Sequence, residues 1–255
     1  MSTPFVVGPE PGPEPGAVPP NGATGAEREF WTEAGPVRGP LAMNETAALA
    51  ARGQATIADP VPLGLAALAS ATFTISTVYA GWFGLPAIAL AIPVALVYGG
   101  IGQFLAGMWA FARGNVLAAT AFATFGAFNM TWAVFQFLGL QRTIPTITGA
   151  SGPAYVTGIF IITFGFISWY LAVAALGSSR GIAVVLTFLG LAYLCDGIGT
   201  WLGGHNWLLA IGGYAGIVAS LIAAYIAGAI VLNSAVGRER LPIFKARAHP
   251  VARPA

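Results

Sequence analysis

Formal charge is scarce in this chain. Only 8% of its 255 residues are Asp, Glu, Lys or Arg, whereas soluble domains are typically about a quarter charged. Hydrophobic residues make up 56%, and the mean hydropathy is +0.76. Most of the surface must therefore face lipid or another subunit, which excludes an ordinary soluble domain and predicts an integral membrane protein.

Cysteine and enzyme motifs are also nearly absent. Cys195 is the only cysteine, which excludes an intrachain disulfide and a metal-thiolate site. The sequence has no Walker A loop and no His-Glu-x-x-His, and Gly197-x-Gly199 is only a fragment of a dinucleotide loop. His205 and His249 fall outside the apolar segments, where we expect them to be solvated. We therefore expect that the protein is not an enzyme and that it binds neither a metal ion nor a cofactor.

What the chain has instead is six long apolar segments. A helix of about 20 residues crosses a hydrocarbon core about 30 Å thick. We place the segments at residues 62–80, 85–111, 115–139, 153–177, 181–202 and 206–232. The predicted fold class is an all-α integral membrane protein with six transmembrane helices, in a domain over residues 59–233.

The two ends of the chain have a different composition. Nine of the 18 prolines fall in the first 40 residues, and such a stretch buries too little apolar surface to fold. We expect residues 1–58 to be a disordered cytoplasmic tail, in which residues 45–58 are a candidate amphipathic helix on the membrane. Residues 234–255 form a basic cytoplasmic tail that fits anionic lipid better than nucleic acid.

Basic residues predict the orientation. If the N-terminus is cytoplasmic, only Arg142 lies outside, and cytoplasmic loops are the ones enriched in Lys and Arg. The ten on the inside are Arg28, Arg38, Arg52, Arg113, Arg180, Arg238, Arg240, Lys245, Arg247 and Arg253. We expect a multi-pass plasma-membrane protein with both termini in the cytoplasm. Two halves of three helices would then run in opposite directions, which permits a 3+3 inverted repeat.

Small residues recur every four positions in the sixth segment. Lipid gives helices little hydrophobic reason to associate, so small residues that allow close approach hold membrane helices together. The row consists of Gly212, Gly216, Ser220, Ala224 and Gly228. It predicts that one face of this helix packs closely against a neighbour.

The third segment places polar side chains on one helix face. At about 100° per residue, Phe125, Asn129, Trp132 and Gln136 share that face. Amides that faced lipid would be unsatisfied, so the face must point at protein or water. We interpret it as the lining of a pathway, with Phe125 as a gate-like ring beside an amide donor. The alternative is an interhelical hydrogen bond with no role in transport.

Five short motifs follow one another along the chain. They are Asp59-Pro60-Val61-Pro62-Leu63-Gly64-Leu65, Tyr98-Gly99-Gly100-Ile101-Gly102-Gln103, Arg113-Gly114-Asn115, Thr120-Ala121-Phe122-Ala123-Thr124-Phe125-Gly126-Ala127-Phe128 and Gly212-Gly213-Tyr214-Ala215-Gly216. In this order the chain resembles the acetate uptake transporter family, the YaaH-like acetate/succinate carriers of microbes, over roughly residues 59–242. The resemblance implies a six-helix protomer with its own pathway, in a homo-hexameric ring, that moves small carboxylates.

The resemblance also assigns roles to single residues. Aligned with the family, Leu68, Phe125 and Leu189 project to similar depth and are expected to form an apolar constriction. The chain departs from the family pattern where Asp59 replaces Asn, Val61 replaces Ala, Phe125 replaces Tyr and Asn129 stands where an aromatic is common. The pathway residues expected are Asp59, Pro60, Pro62, Leu63, Gly64, Leu68, Thr72, Tyr98, Gln103, Asn115, Phe125, Asn129, Gln136 and Leu189.

Asp196 is the one acidic residue clearly inside a predicted helix. A carboxylate is costly there and is a functional candidate by default, so Asp196 is the candidate proton site; the alternative is a partly hydrated structural role. No Lys or Arg lies in mid-membrane, so an anion would depend on hydroxyls, amides and helix N-termini.

Three functions follow from these observations. The first is a transporter or channel for acetate and other small monocarboxylates, with succinate and proton coupling as extensions. The second is a channel for small neutral solutes or ammonia, because Asp59 at the mouth disfavours an anion. The third is a membrane signalling or assembly protein that has kept the fold and lost transport.

Overall fold

The computed structural model describes residues 57–143, 152–203 and 205–244. Within these ranges six helices are long and apolar enough to cross a membrane: α1 Val61–Tyr79, α2 Leu85–Ala112, α3 Val116–Leu140, α4 Pro153–Ala175, α5 Arg180–Leu202 and α6 Trp207–Val236. No β-strand occurs in the described ranges. The six-helix fold class is confirmed, and the helix ends differ from the predicted ones by at most about four residues. The predicted N-terminal tail, its candidate helix, and the residues after 244 lie outside the described residues.

Helix α2 changes its winding along its length. A 3₁₀ turn (Leu85–Ala87) and a short α-helix (Ile88–Pro93) lead into a π-helical stretch (Val94–Gly102), which is followed by an α-helix (Gln103–Ala112). Pro93 has no N–H to donate, so it cannot continue the regular hydrogen-bond ladder. A Cβ at Gly99 would overlap Ala71 of α1, and one at Gly100 would overlap Met130 of α3. The glycines of this motif therefore let α2 approach both neighbours.

Side-chain oxygens accept hydrogen bonds from N–H groups in the first turns of α1, α3 and α5. Asp59 Oδ1 accepts a hydrogen bond from the Val61 N–H at 3.1 Å, Asn115 Oδ1 from Ala118 at 3.1 Å, and Ser179 Oγ from Ile182 at 3.4 Å. Each bond satisfies an N–H that the first turn of a helix leaves without an internal partner. The beginnings of α1, α3 and α5 are thereby fixed in place.

The row of small residues on α6 packs over only half its length. A Cβ at Gly212 would overlap Asp196 Oδ1, a Cβ at Gly216 would overlap Ser76 Oγ, and Ser220 is buried. Ala224 is exposed, and nothing lies within 4 Å of a Cβ built at Gly228. Four residues turn an α-helix by about 40° more than one full turn. The row therefore drifts away from the neighbouring helices, and within this chain only the first half of the predicted face is packed.

The chain after α6 turns back onto the bundle. Asn233 Oδ1 accepts hydrogen bonds from the N–H groups of Arg240 (2.7 Å) and Leu241 (3.0 Å), and its Nδ2 donates to the Leu241 carbonyl at 2.8 Å. Three donors then reach the following carbonyls: Tyr225 OH to Pro242 at 3.2 Å, Ser179 Oγ to Ile243 at 3.3 Å, and the Arg180 N–H to Phe244 at 2.9 Å. Residues 241–244 are thus held against the start of α5.

Replacing Asn233 with Ala should release this segment. The variant loses three hydrogen bonds at one site, each worth about 0.5–1.5 kcal/mol net. We expect trypsin to cleave after Arg240 about tenfold faster in the variant, which corresponds to about 1.4 kcal/mol. Ser234→Ala is the matched control, because Ser234 is exposed on the same turn. Equal cleavage of the two variants would show that Asn233 does not hold the segment.

Candidate substrate pathway

Two cavities follow one another inside the bundle. The Phe122 cavity, of about 180 Å³, is lined by Val61, Leu65, Leu68, Asn115, Leu117, Ala118, Ala121, Phe122, Phe125, Ser178, Ser179, Ile182, Val185 and Leu186. The Asp196 cavity, of about 30 Å³, is lined by Thr72, Ile75, Ser76, Tyr79, Phe128, Asn129, Trp132, Ile161, Leu189, Ala192, Tyr193 and Asp196. The second has room for about two water molecules.

Helices α1, α3 and α5 line both cavities. Their first turns face the Phe122 cavity and their later turns face the Asp196 cavity. On α1, for example, Leu65 and Leu68 line the first cavity, and Thr72 lines the second. The two cavities therefore follow one another along these three helices.

The two cavities meet at an apolar barrier. Leu68 and Phe125 line the Phe122 cavity, and Leu189 lines the Asp196 cavity. Leu68 is 3% exposed, and Phe125 and Leu189 are fully buried. The Phe125 ring also lies against Tyr193, with 6.1 Å between the ring centres. The structure thus brings the three residues expected at a constriction to the boundary between the cavities.

The Phe122 cavity is apolar except at one end. Its polar lining residues are Asn115, Ser178 and Ser179, and Asn115 and Ser179 cap α3 and α5. Val61, in the first turn of α1, lines the same cavity. Helix N-termini carry partial positive charge and attract anions. The ends of α3 and α5, which have neutral caps, favour a small anion over a cation there, whereas the carboxylate of Asp59 already accepts a hydrogen bond at the start of α1.

The Asp196 cavity is the polar half of the route. Hydroxyl groups line it from two helices: Thr72, Ser76 and Tyr79 from α1, and Tyr193 from α5. Asp196 is 6% exposed, so it is buried inside the bundle. Its Oδ1 has no hydrogen-bond partner in the described part of the chain. Gly212 leaves the space that this oxygen occupies.

Asn129 is held in one orientation by α2. Its Nδ2 donates hydrogen bonds to the Gly99 carbonyl and to Gln103 Oε1, both at 3.3 Å. A backbone carbonyl can only accept, so the amide nitrogen must be on that side. The prediction that Asn129 offers an amide donor to the pathway is therefore wrong. The interhelical hydrogen bond foreseen as the alternative is present, yet Asn129 still lines the Asp196 cavity.

Several expected pathway residues line neither cavity. Tyr98 is 40% exposed and Leu63 is 44% exposed, whereas Gln103 is fully buried behind Asn129. Gly99 and Gly100 face α1 and α3, so the side chain of the preceding residue, Tyr98, points away from these two helices. The others outside both cavities are Asp59, Pro60, Pro62, Gly64 and Gln136. A Cβ at Gly64 would overlap the Phe122 ring, so Gly64 serves the contact between α1 and α3.

Sequence reasoning left out other residues of the Asp196 cavity. Ser76 and Tyr193 line it and were not expected to. The signal was present in α5, where Leu189, Tyr193 and Asp196 are spaced by four and three residues and so share one helix face. Ser76 lies one turn after Thr72 and belongs to the same face of α1.

Comparison with known proteins finds relatives that are named as transport proteins. Succinate-acetate/proton symporter SatP of Escherichia coli is 28% identical over 192 residues, 75% of this chain and 97% of that protein. Ammonia transport outward protein 3 of Saccharomyces cerevisiae is 32% identical over 166 residues, 64% of this chain and 58% of that protein. The structure of the bacterial acetate channel SatP superposes with a TM-score of 0.63 at 28% identity, covering 73% of this chain and 98% of that one.

A family model agrees with these likenesses and with the order of the motifs. It matches residues 42–244, a range that contains all six helices and the segment folded back after α6. The chain therefore belongs to the GPR1/FUN34/yaaH family.

Proposed function

We propose that this chain is a plasma-membrane transporter or channel that moves acetate and other small monocarboxylates through the Phe122 and Asp196 cavities. The observation that carries the proposal is the arrangement of these cavities along α1, α3 and α5, on either side of Leu68, Phe125 and Leu189. The likeness to a succinate-acetate/proton symporter and to an acetate channel supports the substrate class. The small volume of the polar cavity favours acetate over a dicarboxylate such as succinate.

The charged residues support an orientation for this route. Loops at the end where α1, α3 and α5 begin carry Arg113, Arg180, Arg238 and Arg240, and the opposite end carries Arg142. This bias is typical of a cytoplasmic end. The Phe122 cavity then faces the cytoplasm, and both termini are cytoplasmic. Each protomer holds a route of its own, as in the hexameric ring that the family resemblance implies.

A second candidate function is the passage of ammonia. One relative is named as an ammonia transport outward protein. Asp59 is exposed at the start of α1, and Asp196 lines the polar cavity. Carboxyl groups at these two positions favour a cation, or a neutral solute that donates a hydrogen bond, over an anion.

Uptake into proteoliposomes separates these functions. Vesicles with the full chain and protein-free vesicles receive labelled acetate, and formate, ammonium or urea is added in turn as a competitor. We expect acetate uptake above the protein-free rate, reduced by formate and unaffected by ammonium or urea. Uptake equal to that of protein-free vesicles would overturn the acetate proposal, and ammonium flux alone would favour the second candidate.

Proton coupling predicts a specific effect of Asp196→Asn. A step that needs one protonated group slows about tenfold per pH unit above that group's pKa. The amide cannot release or take up this proton, so we expect the pH dependence of acetate uptake between pH 6 and 8 to flatten. Asp59→Asn is the matched control, because Asp59 is exposed and lines neither cavity. An unchanged pH profile in Asp196→Asn would remove Asp196 as the proton site.

A further inference from the structure

We propose that a groove at the start of α5 binds a phospholipid with an anionic headgroup, whose phosphate lies at Arg180 and whose acyl chain lies between α5 and α6. This Arg180 groove has a volume of about 640 Å³. It is lined by Arg180, Gly181 and Val184 of α5, by Leu221, Ile222 and Tyr225 of α6, and by Phe244. None of these residues lines the Phe122 cavity or the Asp196 cavity, so the groove is separate from the candidate pathway.

The segment folded back after α6 builds one wall of the Arg180 groove. The backbone N–H of Arg180 donates to the Phe244 carbonyl at 2.9 Å, and the Phe244 ring lies against Tyr225 with 6.3 Å between the ring centres. A Cβ at Gly181 would lie 2.9 Å from Ile226 Cδ1 and 3.4 Å from the Phe244 ring, so this glycine lets the segment come close. The φ angle of Phe244 is 52°, which side chains other than glycine rarely adopt. The fold therefore holds Phe244 at this position against its backbone preference.

The lining of the groove changes from polar to apolar with depth in the membrane. Arg180 is the first residue of α5, and the Tyr225 hydroxyl donates to the Pro242 carbonyl at 3.2 Å. Val184 lies one turn further along α5, and Leu221 lies one turn before Tyr225 on α6, which runs in the opposite direction. Tyr and basic side chains are typical of the membrane interface. A ligand with a charged head and an apolar chain matches this order of side chains.

Charge complementarity favours an anionic head. Arg180 is exposed, and no ion pair involves it in the described part of the chain. Arg238 and Arg240 are exposed at the same end of the bundle, where the described acidic residues are Asp59 and Glu239. A guanidinium group binds phosphate oxygens through paired N–H donors. In the orientation proposed above this end meets the cytoplasmic leaflet, which carries the anionic lipids of a cell membrane.

The same charge argues against a second copy of this chain in the groove. A transmembrane helix of another protomer would bury Arg180, and a buried charge is tolerated only when it is paired. The one carboxyl group on the six described transmembrane helices belongs to Asp196, which is buried inside the bundle. Such a helix therefore brings no carboxylate to Arg180. A phospholipid brings a phosphate and an acyl chain together.

Native mass spectrometry of the full chain tests the proposal, because one spectrum counts bound lipids and associated chains. The chain in detergent receives equal amounts of phosphatidylglycerol and phosphatidylcholine with the same acyl chains, and a separate sample receives oleate. We expect more bound phosphatidylglycerol than phosphatidylcholine. Arg180→Gln should lower the affinity for phosphatidylglycerol about fivefold, which corresponds to about 1 kcal/mol. Arg238→Gln is the matched control, because it makes the same change at the same end outside the groove.

A second variant tests the apolar part of the groove. Leu221 is 57% exposed, and Leu221→Trp places a larger ring where the acyl chain would lie. We expect it to reduce the binding of both phospholipids. Ile211→Trp is the control, because Ile211 is exposed on the same helix and does not line the groove. The replaced side chains are exposed, so the substitutions leave the packed interior of the bundle intact.

Three results would overturn the proposal. Equal binding of phosphatidylglycerol by the parent chain, Arg180→Gln and Leu221→Trp would exclude the groove as the site. Preference for oleate over phosphatidylglycerol would exclude a phospholipid as the occupant. Loss of a larger assembly in both variants, with lipid binding unchanged, would assign the groove to contact between copies of the chain. None of these measurements uses acetate, so the lipid site and the proposed transport function stand or fall separately.

Discussion

Gly213→Val should prevent α6 from packing against α1 and abolish most of the folded yield. A Cβ at Gly213 would overlap the backbone nitrogen of Ala80 and lie 2.7 Å from the Ser76 carbonyl oxygen. Both atoms belong to the backbone of α1 and its C-terminal end, so no rotamer change relieves the overlap. Overpacking costs about 1–3 kcal/mol even where side chains can adjust. We expect little monodisperse protein after detergent extraction, and a lower melting temperature for what remains.

Gly228→Val is the matched control for this prediction. This substitution is on the same helix and changes the intrinsic helix propensity by the same amount. Within the described chain, however, nothing lies within 4 Å of a Cβ at Gly228. Its yield and melting temperature should stay close to those of the parent chain. Equal stability of the two variants would show that α1 and α6 do not pack at the distance seen in the structure.

Hydropathy alone was sufficient to predict the six helices, because their length and lack of charge are dictated by the bilayer. The winding of α2 was not predictable in the same way. Pro93 and the pair Gly99 and Gly100 are visible in the sequence, but a π-helical stretch there also depends on which helices approach those glycines. The residues that contact these two glycines are Ala71 and Met130, which lie on two other helices.

The same limit applies to the candidate site: features of a single helix were predictable from the sequence, and contacts between helices were not. Helical periodicity correctly placed Phe125 and Asn129 on a face that turns towards the interior, since periodicity is a property of one helix. It could not show that Gly99 and Gln103 take up both N–H groups of Asn129, because those partners are 30 and 26 residues away. The sequence therefore predicted a polar pathway but assigned its amide the wrong hydrogen-bonding role.

Phe125→Ala should widen the range of acids that pass. Phe125 is fully buried where the two cavities meet, beside Leu68 and Leu189. Truncation to Ala removes the ring that lies between the Phe122 cavity and the Asp196 cavity, and we expect it to widen the passage between them. We expect butyrate uptake, relative to acetate uptake, to rise about tenfold, which needs a fall of only about 1.4 kcal/mol in the barrier for the larger acid. Leu68→Ala should act in the same direction with a smaller effect, because it removes less volume.

The effect on selectivity must be separated from a loss of stability. Phe→Ala in a packed interior costs about 3–5 kcal/mol, so uptake is normalised to folded protein measured by size-exclusion chromatography. Phe137→Ala, on the same helix but with Phe137 51% exposed, should leave the ratio of butyrate to acetate uptake unchanged. A general leak would raise the uptake of glucose as well as of butyrate, whereas an opened constriction admits only solutes that fit between Leu68 and Leu189. An unaltered size profile in folded Phe125→Ala would place the barrier to larger acids elsewhere along the route.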